Sequence, residues 1–215
     1  MNNQEFAGAI ALSKAIRNQY IEPIYQDFKD TYMAGRLTGV CRKIIQQATG
    51  ELGKREACIA THGKPLIHFP FNKKRPLGYS FKNSIQIQST PSRSSITLNT
   101  EIATKWVIGQ PKAATHAQLT LVAVSVSKHT FNNKTKKYQP SHPEQNALGQ
   151  YSHSDPIPLT TTPTTVQLEI NLPVSEALAS TTAVVVAVGI TFGTLVNNQF
   201  LKLKAAKAMN IVEIL

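Results

Sequence analysis

Residues 182–192 read Thr-Ala-Val-Val-Val-Ala-Val-Gly-Ile-Thr-Phe, the most apolar and most β-branched run in the chain. Branching at Cβ stiffens χ1, disfavours helix and suits a pleated backbone. At eleven residues, the run is far shorter than the ~20 that a helix needs to cross a bilayer. It predicts a central strand covered on both faces, or the inner strand of a sandwich. Val196-Asn197-Asn198-Gln199 follows, and asparagine tolerates the left-handed conformations of a hairpin turn. Phe200, Leu201 and Leu203 then return as the partner strand.

Upstream, further strands are marked; where apolar residues alternate with polar ones, one face is buried and one is wet. Ala117–Val126 is a second strongly apolar run, and Val166, Leu168, Ile170 and Leu172 alternate with polar residues. Ile85 and Ile87, and Ile96 and Leu98, do the same. Ile67, Phe69 and Phe71, and Leu77, Tyr79 and Phe81, suggest two more strands, with Asn72–Pro76 and Ser89–Ser92 as turns. Short strands at this spacing point to an antiparallel sandwich and not to βαβ units. Residues 127–163 carry little apolar signal and read as a long loop. A hairpin around Asn132-Asn133 and an extended edge piece at Asp155–Leu159 are the structure expected within it.

The first 53 residues read differently. Phe6, Ile10, Ile16 and Tyr20 recur at helical spacing, and Phe6, Ile10 and Ile16 are expected to share one face. Pro23 suits the first turn of a second helix, where an N–H is unpaired in any case. Leu37, Val40, Cys41, Ile44, Ile45 and Ala48 give the clearest helical stripe; Arg36, Arg42, Lys43 and Gln46 face the other way. The expected fold class is α+β: a helical segment over residues 1–53, then an antiparallel β-sandwich over 54–215. The apolar faces of the leading helices exceed what a solitary sandwich is expected to hide. Phe6, Ile10, Ile16, Tyr20, Leu37 and Ile44 are therefore candidate contacts between copies.

Twenty-three Lys and Arg stand against 12 Asp and Glu, a net charge of +11. Such a surface attracts polyanions. From Lys54 to Lys137 the bias is 14 basic residues against two acidic ones, Glu56 and Glu101. Lys73-Lys74-Arg75 and Lys134, Lys136 and Lys137 fall in expected turns, with Tyr79 and Tyr138 close in sequence. These six cations are the candidate polyanion-binding residues, by sequence-independent and salt-dependent phosphate contacts. Two cysteines, Cys41 and Cys58, are too few for a disulfide framework; Cys41 reads as a small buried hydrophobe. The N-terminus lacks the basic region and continuous apolar stretch of a signal peptide. The expected address is the cytoplasm, or a particle assembled there, with no membrane span.

Three pieces carry a resemblance: Asn3–Phe6 leading into Ser13–Arg17; Ala114–Leu119 entering a strand; and Val184–Phe192 with its asparagine turn and Phe200–Leu203. In these the chain resembles a group of uncharacterised proteins widespread in Bacteroidota. The resemblance implies a helical N-terminal half and a β-rich C-terminal half. Those relatives begin with a glycine-rich β-hairpin segment that this chain does not show. The group supplies no catalytic residues to carry over.

No catalytic motif stands out. The glycines lack the spacing of a phosphate loop, and there is no Gly-x-Ser-x-Gly elbow. Of six histidines, no two are spaced i, i+4 on a helix. His142 and His153 share a polar stretch with Tyr151 and Asp155, but a metal needs three or four ligands held by surrounding hydrogen bonds. No enzyme activity, cofactor or metal is expected. The expected function is that of a structural, self-assembling subunit of a filament, tube or phage-like particle, its partner being a further copy of itself. The alternative is a module that binds nucleic acid, another polyanion or an acidic protein through the basic loops.

Overall fold

In the computed structural model, which describes residues 3–18 and 21–215, three layers stack on one another. The middle layer is an all-antiparallel sheet ordered β10 (Gln199–Ile214), β9 (Thr182–Val196), β3 (His116–Ser127), β6 (Leu148–His153), with β7 (Ile157–Pro158) pairing the same edge of β3 further along. One face carries three helices, α1 (Asn3–Ile16), α2 (Glu22–Phe28) and α3 (Met33–Gln47). The other face carries a three-stranded sheet, β1 (Gln86–Ser89), β2 (Ser95–Ile102) and β8 (Thr164–Asn171). A short α4 (Ile59–His62) follows the helical layer, and β4 (His129–Asn132) pairs β5 (Lys137–Pro140) in a separate hairpin. The fold is thus α+β, with helices first and an antiparallel sandwich after them.

The valine run is the centre of this arrangement. Ala183, Val185 and Ala187 join the core under the helices, while Val184, Val186, Val188, Ile190 and Phe192 join the core between the sheets. A strand's side chains alternate in direction, so a run apolar at every position is covered from both sides. The turn after it is Asn197-Asn198, both at positive φ (48° and 61°), the backbone that a tight two-residue hairpin requires. Gly193 has no room for a side chain: a Cβ there would sit 2.5 Å from the Leu201 carbonyl oxygen of β10.

The helical layer corrects the sequence reading of its own surface. Ile16, Leu37 and Ile44 are fully buried, packed with Val122, Val124, Val185, Met209 and Ile211 of the middle sheet. They are core and are not free to meet another copy. Helix α1 is also rotated from the expected face. Ala9, Leu12, Ala15 and Ile16 turn inward, Ile10 is half-buried, and Phe6 remains exposed. The reason is small residues: the Tyr138 ring packs 2.9 Å from where a Gly8 Cβ would stand. A stripe drawn through large apolar residues misses such close approach. Tyr20 lies outside the described residues.

Two expected strands are not strands. Residues 64–66 and 77–79 form single 3-10 turns. His68, at φ 67°, breaks the extension between them. Residues 68–71 instead lie along the outer edge of β10: the His68 and Phe71 N–H groups donate to the Ile211 and Met209 carbonyls, and the Ile211 N–H donates to Phe69. The expected long loop over 127–163 is also mostly ordered backbone. It holds the Asn132 hairpin and the β7 edge piece, as expected, together with β6, which was not. Strand β6 escapes a hydrophobic reading because an edge strand with one buried position, Gly149, is held by its ladder to β3.

Arg93 closes the far end of the sandwich. Its guanidinium donates to the carbonyls of Leu178 (2.9 Å), Ala179 (2.8 Å) and Thr182 (2.6 Å), joining the β1–β2 turn to the entry of β9. Cys41 and Cys58 are free and buried, and the Cys41 thiol is pushed up to about 12 by burial. Among the described residues no helix is long and apolar enough to cross a membrane.

Candidate polyanion-binding surface

Both basic loops are turns fixed by asparagine. Asn72 Oδ1 accepts the Lys74 N–H at 2.9 Å. Asn132 Oδ1 accepts the N–H groups of Lys134 (2.9 Å) and Thr135 (3.1 Å), while Lys136 takes positive φ to complete the hairpin. Short polar side chains that bond the backbone two residues on favour turns of this kind. The backbone is held, and the cationic side chains project from it. Lys73, Lys74, Lys134, Lys136 and Lys137 are exposed and Arg75 is half-buried.

The loops do not converge; they lie at opposite ends of α3. Residues 71–73 meet its start, where Arg36 donates to the Pro70 and Phe71 carbonyls and to Asp30 (2.8 Å). The β4–β5 hairpin is tied near its end: Tyr138 donates its hydroxyl to the Arg55 carbonyl (2.7 Å), and Arg55 reaches the Gln46 carbonyl (3.1 Å). The fifteen residues of α3 span about 22 Å from one end to the other. Between the loops, α3 contains no acidic residue and bears half-buried Arg42 and exposed Lys43, while Arg36 turns to the 70–71 segment and Asp30. Tyr138 is buried by its packing against Gly8 and Phe131, so it offers no ring to a ligand. Tyr79 is exposed.

Six acidic residues are paired with cations outside the two clusters. Glu5 pairs with Arg55 (2.8 Å), Asp30 with Arg36 (2.8 Å), Glu51 with Lys54 (3.0 Å) and Glu56 with Lys128 (3.1 Å). Asp27 lies between Lys202 (3.4 Å) and Lys207 (3.2 Å), and Glu22 is 3.9 Å from Arg17 and from Lys29. Among the described residues, none of Lys73, Lys74, Arg75, Lys134, Lys136 or Lys137 makes an ion pair.

These pairings set the acid response. The Arg55 guanidinium, bonded to buried Glu5, holds that carboxyl below its ordinary range, helped by the Gly53 N–H. For Asp30, burial pulls upward, but the Lys73 N–H and Arg36 outweigh it and its pKa is lowered. Burial also lowers His129, whose Nδ1 meets the Ser127 carbonyl at 2.9 Å. Every one of these groups binds its proton less readily folded than unfolded, so stability rises with pH across the acid range. The expected result is a urea midpoint that falls first below about pH 6.5, as the unfolded histidine takes up its proton, and again below about pH 4.5. A midpoint constant from about pH 8 to about pH 3 contradicts these pairings.

A cavity of about 440 Å³ opens beside Lys73 and Lys74 and is also lined by Asp30, Thr31, Tyr32, Arg36 and Asn72. The sequence alone carries no signal at Tyr32 and sets Arg36 on the face opposite the apolar stripe of α3. Only the tertiary contact between residues 30–36 and 70–73 brings them to the basic turn, and no local pattern announces that contact. Among the described residues, no three His, Cys, Asp or Glu side chains gather as a metal site. No known protein family matches the chain, and no curated protein matches it.

Proposed function

We propose that this protein is a non-catalytic polyanion-binding module that holds phosphate-rich polymers on its helical face. The observation that carries this reading is the set of exposed lysines at both ends of a cation-only α3, without acidic partners. Free ammonium groups on fixed turns bind phosphates without reading sequence, and release of counterions makes such binding steeply salt-dependent. The test is a salt series with random-sequence DNA, RNA and heparin. Binding at about 50 mM salt that weakens by orders of magnitude by about 200 mM is expected. Charge reversal at Lys73, Lys74 and Arg75, or at Lys134, Lys136 and Lys137, reduces the salt slope by about 0.7–0.9 for each phosphate contact removed. Absence of binding at low salt, or charge-reversed variants indistinguishable from the native chain, overturns the reading.

A second reading, self-assembly, is favoured by a different surface from the one the helices suggested. Past Gly193, where β3 ends its pairing, β9 and β10 run on alone as a hairpin for about 10 Å. Leu195, Val196 and Leu201 are exposed on this projection. Apolar side chains on a projecting, unpaired strand edge are a contact surface for another copy. Light scattering at micromolar concentration tests it. Association lost in Leu195→Asp/Leu201→Asp supports this reading, and a native chain that stays monomeric in low and high salt removes it.

A further inference from the structure

We propose that the cavity between the α2–α3 turn and the 72–74 turn binds single-stranded nucleic acid, with a base stacked on Tyr32 and phosphates on Lys73 and Lys74. This rests on the polyanion reading and narrows it to one ligand class.

Tyr32 is 78% exposed, the most open large hydrophobic or aromatic side chain among the described residues. Leaving an aromatic ring in water forgoes the burial that most tyrosines obtain, yet its backbone is firmly held. The Tyr32 N–H donates to Asp30 Oδ1 (3.0 Å), and the Lys73 N–H donates to Asp30 Oδ2 (2.9 Å). One carboxylate therefore ties the two walls of the cavity together, and the Asp30 N–H closes the connection by donating to the Phe71 carbonyl (3.0 Å). Arg36 is committed to the same frame through Asp30, two carbonyls and the Phe69 ring at 5.1 Å. Its charge balances that of Asp30. What stays unengaged is one ring and two ammonium groups around a space large enough for a small ligand.

That combination is the chemistry of single-strand recognition: an aromatic platform for a base beside cations for its phosphates. A duplex keeps its base faces stacked and offers Tyr32 nothing. Heparin offers anionic groups but no aromatic face. The three polyanions are thus separable at this one residue.

The experiment measures fluorescence anisotropy with an oligonucleotide single strand, its duplex and heparin, for the native chain, Tyr32→Ala, Tyr32→Phe and Lys73→Glu/Lys74→Glu. Tyr32→Ala is expected to weaken the single strand about tenfold, with duplex and heparin unchanged and Tyr32→Phe close to native. The double charge reversal weakens all three. If Tyr32→Ala leaves the single strand unaffected, or weakens all three ligands alike, the inference fails while the polyanion reading stands. If nothing binds at low salt, both fail. Because Tyr32 is exposed, its replacement leaves the core intact, and an unchanged thermal midpoint verifies this.

Discussion

Val184→Asp and Val185→Asp are each expected to abolish folding, although the two side chains point in opposite directions. Val185 sits under the helices with Ala183 and Ala187; Val184 sits between the sheets with Val186 and Val188. Both are fully buried. A carboxylate in either place has no cation to meet and either ionises at great cost or takes up a proton and stays unsatisfied. The penalty is at least about 5 kcal/mol, comparable to the whole stability of a typical domain. On a strand with one wet face, one of two neighbouring substitutions is harmless, so the pair is diagnostic. The measurement is soluble yield together with far-UV circular dichroism and urea unfolding. A native midpoint in either variant contradicts the three-layer arrangement.

That strand was the most legible part of the chain because its signal is local. A run with no polar interruption admits burial on both sides, and the asparagine pair after it has few conformations to choose from. Strands β2 and β8 are legible because period two is printed in their residues, and β3 because, like β9, it is a long apolar run. Residues 66–71 were not, because Phe69 and Phe71 alternate as a strand would, while His68 at positive φ and two nearby prolines decide the backbone. Helix α1 shows a different failure. Its buried face includes Gly8, Ala9 and Ala15 beside Leu12 and Ile16, and small residues are counted as weak signal when they permit the closest packing.

The candidate site was half legible. Charge is additive along a sequence, so Lys73–Arg75 and Lys134–Lys137 stood out at once. The consequence of that charge depends on which acids are already paired, and those pairings join distant residues: Glu5 to Arg55, Asp27 to Lys207. Tyr32 had no signal of its own. It stands in the break between two helices, where exposure is unremarkable until the 72–74 turn is seen to face it.

Phe71→Ala is expected to cost about 4 kcal/mol and to lower the thermal midpoint by about 8–16 °C. Phe71 is fully buried, its ring 4.6 Å from that of Tyr25 and 6.1 Å from that of Phe69. Truncation leaves a void between α2 and the 68–71 strap that rigid aromatic neighbours fill poorly. Phe71→Leu keeps most of the volume and is expected to cost about 1–2 kcal/mol. The same residue's backbone seats the cavity wall, since its carbonyl accepts both Arg36 and the Asp30 N–H. Loosening the ring therefore loosens the frame that presents Tyr32, and single-strand binding should fall in Phe71→Ala under conditions where the variant is still folded. Differential scanning calorimetry gives the stability loss. A midpoint within about 2 °C of native, less than a change of 1 kcal/mol brings, shows that the strap is not packed on α2 as described, and the frame proposed for the cavity fails with it.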